Sequence, residues 1–232
     1  MQKTNSFLAI IPARKGSKGI PGKNLEKIDD KPLIQFTIEA ARSIILPQNI
    51  IISSDDPNIL SLAIEIGIEV PFMRPDILST DTAKITDVIR HSIDWYKSEY
   101  NKIPPNIILL QPTSPFRDFN DINNAINKFE NSDKKTLVSV SEPIQHPGDC
   151  LFKNLDGNFK RLEIGLGHSE RQSYPEVLFI NGGIYISETS HFLETEDLIG
   201  DDPEVYKMEK FKSIDIDSKF DLELARAIYN AK

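Results

Sequence analysis

Four cations stand on one glycine-bearing stretch near the start of the chain. In LAIIPARKGSKGIPGKNL, residues 8–25, Arg14, Lys15, Lys18 and Lys23 are interleaved with Gly16, Gly19 and Gly22, and no acidic residue interrupts them. The chain as a whole carries a formal net charge of -8, so the stretch runs against the general balance. Glycines let backbone N–H groups approach phosphate oxygens, and the cations offset the ligand's charge. The pattern suits a polyphosphate, with a solvated basic turn as the bland alternative. It matches neither common phosphate loop. Five residues separate Gly16 from Gly22, and Asn24 follows Lys23, where a Walker A loop needs four residues and then Ser or Thr after its Lys. The glycines recur every third residue, which breaks the dinucleotide pattern G-x-G-x-x-G.

Three further polar clusters carry chemistry. Ser213-Ile214-Asp215-Ile216-Asp217 places two carboxylates two residues apart, on one face if the segment is extended. Such a pair can hold Mg²⁺ beside a polyphosphate, since that ion prefers oxygen ligands and keeps several waters. The competing reading has Asp217 or Ser218 capping the last helix. Gln111-Pro112-Thr113-Ser114-Pro115 is a stiff polar loop whose Gln111 amide can donate and accept; a Pro-rich turn with capping hydroxyls explains it equally well. Asn181-Gly182-Gly183, followed by Tyr185, permits either close approach of a ligand or a bulge. His91, His146, His168 and His191 show no paired spacing, and Cys150 has no partner thiol, which argues against zinc.

The elements that must position these residues alternate. Short apolar runs at 8–11, 49–53, 68–72, 106–110 and 136–140 read as buried strands. Helices are expected from Pro32, from an Asp55 or Asp56 cap with Pro57 in the first turn, over 85–100 and over 119–129. This alternation predicts a doubly wound, mostly parallel α/β sheet, in which ligands bind beyond the carboxyl ends of the strands. Residues 141–175 break it with Pro, Gly and a hairpin-like run turning at Asp156-Gly157. Regular structure resumes with strands at 178–187 and 211–216 and a helix at 220–231. The expected organisation is an α/β domain of 1–140 and 176–232 with a β-rich excursion at 141–175.

Composition narrows the class. The chain has 232 residues, of which 39% are hydrophobic and 27% charged, and one cysteine. The single cysteine excludes an internal disulfide framework and suits a reducing compartment. No apolar run approaches the roughly 20 residues of a membrane span. The acidic balance, with a pI near 5.1, disfavours nucleic-acid binding. A cytoplasmic location is expected.

Five stretches in order, IIPARKGSKGIPGKN, RPDILSTDT, LLQPTSPFR, FINGGIYIS and SIDIDSKFDL, resemble the acylneuraminate cytidylyltransferases, and sequences that activate legionaminic acids look equally close. The resemblance covers nearly the whole chain. It implies a nucleotidyltransferase of Rossmann-like fold. Such an enzyme moves CMP from CTP to the anomeric hydroxyl of a nine-carbon 2-keto sugar acid and releases pyrophosphate. It further implies that Arg14, Ser17, Lys18 and Lys23 line the triphosphate, with Lys23 answering charge at the α-phosphate and departing pyrophosphate. On the same analogy Asn24 and Arg74 contact the cytosine and ribose side, and Asp215 and Asp217 hold Mg²⁺. Gln111, Asn181 and Tyr185 would face the sugar. The excursion would form a homodimer, with Arg171 reaching the neighbouring subunit's sugar site.

Two departures bear on the acceptor. Relatives acting on N-acetylneuraminate can carry a lysine two residues after the His-Pro pair, where Asp149 stands here, and an arginine where Phe179 stands. Both changes remove positive charge, which favours a modified acid such as diacetylated legionaminic acid. The alternatives are a CMP-Kdo synthetase, a glycosyltransferase using Asp215-Ile216-Asp217 as a D-x-D metal motif, and a non-catalytic nucleotide-binding protein of the same fold.

Overall fold

The computed structural model describes residues 3–162 and 176–231. Its centre is a six-stranded sheet in the order β10-β6-β9-β5-β1-β4. The strands are β1 (Phe7–Pro12), β4 (Ile50–Ser53), β5 (Asn106–Leu109), β6 (Thr136–Ser141), β9 (Phe179–Glu188) and β10 (Glu204–Lys207). β1 pairs in parallel with β4 and β5, and β10 with β6, while β9 runs antiparallel between β5 and β6. The sheet is therefore mostly parallel, as the alternating pattern predicts.

Helices cover both faces because side chains alternate along each strand. Phe7, Ala9 and Ile11 of β1 point to one face, packing with α1 (Leu33–Ile44), α2 (Pro57–Glu65) and α4 (Phe119–Glu130). Leu8 and Ile10 point to the other, against α3 (Ile85–Tyr100) and Phe192 of α5 (Thr189–Thr195). A third cluster joins Ile20 of the basic loop to Leu33, Phe116, Ile216 and the final helix α6 (Lys219–Asn230). Helix starts follow their caps. Asp56 accepts from Asn58 N at the head of α2, while reciprocal capping boxes open α4 at Asp118/Asp121 and α6 at Ser218/Asp221.

Two expected strands are absent. Residues 68–72 are irregular: Pro71 has no N–H for a ladder, and the segment instead buries Ile68 against the core and lays Arg74 N on Ser54 O at 2.8 Å. Residues 211–216 form a 3-10 turn, Lys210–Ser213, and then an irregular stretch. Their strand-like alternation has another cause, since Ile216 is fully buried in the third cluster. The edge beside β6 is taken by β10, which the sequence pattern did not reveal. Two smaller pairings complete the fold. β2 (Lys27–Ile28) with β3 (Lys31–Pro32) follows the basic loop, and β7 (Leu151–Lys153) with β8 (Phe159–Arg161) forms a separate hairpin around Gly157 at φ 87.

Candidate functional site

The basic loop leaves β1 at the carboxyl ends of β1 and β4, and Ala13 N still bonds Ser53 O at 2.9 Å. It is pinned at several points. Lys15 N donates to Asp55 Oδ1 at 2.7 Å, Asn24 Nδ2 donates to Arg14 O at 3.1 Å, and Ile20 anchors it in the core. Gly22 has φ 68, a conformation that favours glycine, and caps a 3-10 turn over Lys23–Leu25. Gly19 is required for a different reason. A Cβ there would stand 2.0 Å from the carbonyl oxygen of Asp217, so only glycine lets the 213–217 segment lie on the loop.

That contact joins chemistry from opposite ends of the chain. Lys23 Nζ donates to Ile216 O at 2.7 Å and to Asp217 Oδ1 at 2.9 Å. The result is a cleft of about 360 Å³ whose walls include Arg14, Ser17, Lys18, Lys23, Asn24, Gln111, Thr113 and Asp217. A second cleft of about 270 Å³ shares Pro12, Arg14 and Ile85 with it and adds Arg74, Thr80 and Asp81. Arg74 is buried, with Nε on Ser53 Oγ at 3.0 Å and a second bond to the Ser53 carbonyl. Burial lowers its pKa to about 10.

The remaining expected residues separate. Asp215 lies beside the Thr113 hydroxyl, which draws its pKa down without reaching hydrogen-bond geometry. Asp215 is exposed as a residue, but partial desolvation of its carboxyl is the larger influence and, with the Asp217 charge, leaves it above its usual range. Tyr185 is half-buried, and burial followed by the Asp215 charge raises its pKa. Asn181 does not offer its amide to the cleft. It is buried, Oδ1 accepts from Ser139 Oγ at 2.5 Å and from Gly183 N at 3.1 Å, and Nδ2 donates to Ser213 Oγ at 2.8 Å. Arg171 lies outside the described residues. Ser218 does cap α6, leaving Asp217 for Lys23.

Asp215 and Asp217 fit a divalent cation in part. Among the described residues no group of three or more His, Cys, Asp or Glu is placed to hold a metal. The pair could therefore hold an ion only with ligand oxygens and waters completing the shell. That arrangement suits Mg²⁺ with a polyphosphate, and a crowded carboxylate with a raised pKa gains from a nearby cation.

Three participants were not visible in the sequence. Asp81 pairs with Arg14 at 2.6 Å and Lys18 at 3.8 Å, across the mouth between the clefts. Arg117, the last residue of LLQPTSPFR, is fully buried and clamps Gln111 O at 3.1 Å, Gly183 O at 2.6 Å and Thr37 Oγ1 at 2.6 Å. With no carboxylate in contact among the described residues, it is brought down to about 9 by burial. Lys212 joins the segment carrying the carboxylates to α4. A lone charge closing the otherwise uncharged LLQPTSPFR motif was the available signal for Arg117. Asp149, read from sequence as a bare negative charge, is paired with Arg161 at 3.1 Å, whose Nε also donates to Gly148 O at 2.8 Å.

The architecture is that of the Rossmann-like nucleotidyltransferases. A solved CMP:2-keto-3-deoxy-manno-octonic acid synthetase in complex with CTP superposes with a TM-score of 0.67 over 98% of this chain and 99% of its own, at 17% identity. The chain belongs to the cytidylyltransferase family, whose model matches residues 8–232. It is 35% identical over 228 residues to an N-acylneuraminate cytidylyltransferase of Escherichia coli, covering 97% of this chain but 52% of that relative, about half its length. It is 33% identical to the CMP-N,N'-diacetyllegionaminic acid synthase of Legionella pneumophila, covering 96% of this chain and 95% of the relative.

Proposed function

We propose that the protein transfers CMP from CTP to the anomeric hydroxyl of a nine-carbon 2-keto sugar acid. The hydroxyl oxygen bonds to the α-phosphorus, the bond to the bridging oxygen of the β-phosphate breaks, pyrophosphate leaves with that electron pair, and the hydroxyl proton passes to solvent. The observation that carries this is the joining of the basic loop to the Asp217 segment across one cleft, within a chain of the cytidylyltransferase family.

Arg14, Ser17 and Lys18 hold the triphosphate, while Lys23, fixed between the loop and Ile216 O, faces the charge that grows on the departing group. Arg74 in the second cleft and Asn24 in the first shape the base and ribose side. Asp215 and Asp217 are the residues for Mg²⁺, which when bound would neutralise phosphate charge and orient the leaving group. Gln111 and Tyr185 serve the sugar side, Asn181 ties β9 to the Ser213 turn, and Arg171 is assigned to the neighbouring subunit's sugar site.

The acceptor we favour is a diacetylated legionaminic acid. Phe179 is 64% exposed, and such a side chain favours acetamido methyls over additional hydroxyls. The Asp149–Arg161 pair weakens the argument from charge, so the preference rests mainly on Phe179. Exposed Ile144, Leu151, Leu155 and Phe159 on and around the β7–β8 hairpin support a homodimer built through residues 141–175. No helix among the described residues is long and apolar enough to cross a membrane. A cytoplasmic site of action belongs to the same proposal, supported by the lone Cys150.

The test is pyrophosphate release from CTP with a panel of 2-keto sugar acids, with and without Mg²⁺. Release with the diacetylated nine-carbon acid, lost on chelation, is expected. Release only with an eight-carbon acid sinks the assignment, and a clear preference for N-acetylneuraminate sinks the choice of acceptor.

A further inference from the structure

The two carboxylates sit on a segment that no sheet ladder holds. After the Lys210–Ser213 turn, residues 214–217 are irregular, and Ile216 N bonds Thr113 O at 2.9 Å. Side chains supply the rest of its attachment. Lys212 Nζ lies 2.8 Å from Asp118 Oδ2 and 3.0 Å from Asp121 Oδ2. The Lys212 side chain is 15% exposed and that of Asp121 6%, while that of Asp118 is 42%, so the cluster is desolvated on its Asp121 side and opens to solvent at Asp118.

Both acids already have work at the head of α4. Asp118 caps Asn120 N at 2.9 Å and Asp121 N at 3.1 Å. Asp121 accepts from Asp118 N at 3.0 Å and from Tyr206 Oη at 3.2 Å. α4 begins directly after LLQPTSPFR, whose Gln111, Pro112 and Thr113 line the cleft. Lys212 therefore couples the cleft's polar loop to the turn leading into Asp215. Its neighbour Ser213 receives Asn181 Nδ2, which fixes the same turn to β9.

We propose that Lys212 is a positioning residue that sets Asp215 and Asp217 for a divalent cation, acting through the Lys210–Ser213 turn. It lines neither cleft. Without its ammonium, Asp118 and Asp121 would be left as adjacent acids, and the turn would lose the tie that fixes where Asp215 begins. The inference rests on the metal reading above.

The test titrates Mn²⁺ into the protein–CTP complex and follows it by electron paramagnetic resonance, with CTP affinity measured separately in EDTA by calorimetry. Lys212→Met is expected to weaken Mn²⁺ binding at least about tenfold and leave metal-free CTP affinity within about twofold. Lys212→Arg, which keeps the charge, should restore most of the loss. Asp118→Asn keeps a good helix cap while removing one ion pair; it should give a smaller loss with melting temperature nearly unchanged, and it decides the matter if Lys212→Met does not fold. Wild-type Mn²⁺ binding in Lys212→Met, or in a well-folded Asp118→Asn, overturns the proposal. A matched loss of metal-free CTP affinity in Lys212→Met also overturns it. Asp215→Asn separates the two failures: undiminished Mn²⁺ binding there removes the metal reading itself, whereas loss there with none in Lys212→Met removes only the role of Lys212.

Discussion

Lys23 is the residue on which the loop and the carboxylate segment meet. Its side chain is 12% exposed, while that of Asp217 is 76% exposed, so their ion pair adds little stability. Lys23→Ala should therefore leave the unfolding free energy from chemical denaturation within about 1 kcal/mol of wild type. It should lower kcat for pyrophosphate release by about 100- to 1,000-fold, the usual loss when a donor to developing charge is removed. Near-normal turnover would refute the role given to it. Asp81 makes the opposite kind of contribution, since it holds Arg14 and Lys18 where an anion would compete for them. Asp81→Asn should tighten CTP binding by up to about fivefold in low salt, the worth of an exposed pair, and the gain should fade as salt screens it. Calorimetry at two ionic strengths reads this directly, and weaker binding would mean that Asp81 contacts the nucleotide.

At the scale of elements, the site depends on how closely two irregular segments approach. Gly19→Ala would drive a Cβ into the Asp217 carbonyl, so the loop or the segment must shift. The expected cost is about 1–3 kcal/mol in denaturant unfolding, together with loss of turnover. A stable, active alanine variant would show that the segment can retreat without consequence. The α4 cluster gives a pH signature. Burial raises the pKa of Asp118, but Lys212 and the capping N–H outweigh it, so the net shift is downward from 3.8. The stability this contributes is present above the unfolded value and is lost as pH falls through the folded one. Lys212 is raised above 10.5, burial opposing and the two acids prevailing, so its share is lost only as pH rises through that higher folded value. Burial, with the Asp118 charge, raises Asp121, which offsets part of the gain once it ionises. The melting-temperature gap between wild type and Lys212→Met should be widest near neutrality and close below about pH 4. A gap that persists unchanged in acid would contradict this.

For the whole molecule, the β7–β8 hairpin is the place to test assembly. Leu155 and Phe159 are exposed at 107% and 69% and pair with no strand of the main sheet. The variant Leu155→Glu with Phe159→Glu should sediment as a monomer and still bind CTP. A dimer that survives both changes would place the interface elsewhere. The same scale shows why some of the design was legible in the chain and some was not. Buried runs such as the Asn106–Leu109 strand and the helix Ile85–Tyr100 are local patterns, and both lie where their periodicity predicts. The β10 strand escaped notice because Glu204–Lys207 mixes charged and apolar residues and only its pairing with β6 makes it a strand. Residues 211–216 misled for the converse reason, since burial of Ile216 under α6 produces alternation without a ladder.

The sequence alone determined the alternating α/β order, the basic glycine-bearing loop and the existence of two nearby carboxylates, because each is written within a few residues. Tertiary structure decided which of these meet. Lys23 and Asp217 are 194 positions apart, and no local rule places one on the other. Only folding showed that Asn181 spends its amide on Ser139 and Ser213, or that Arg117 is buried beneath the cleft as a clamp. Side-chain identity sets what a group can do. Whether it faces a ligand or a neighbouring carbonyl depends on long-range packing, which in this chain is decided where the basic loop passes under the Asp215–Asp217 segment at Gly19.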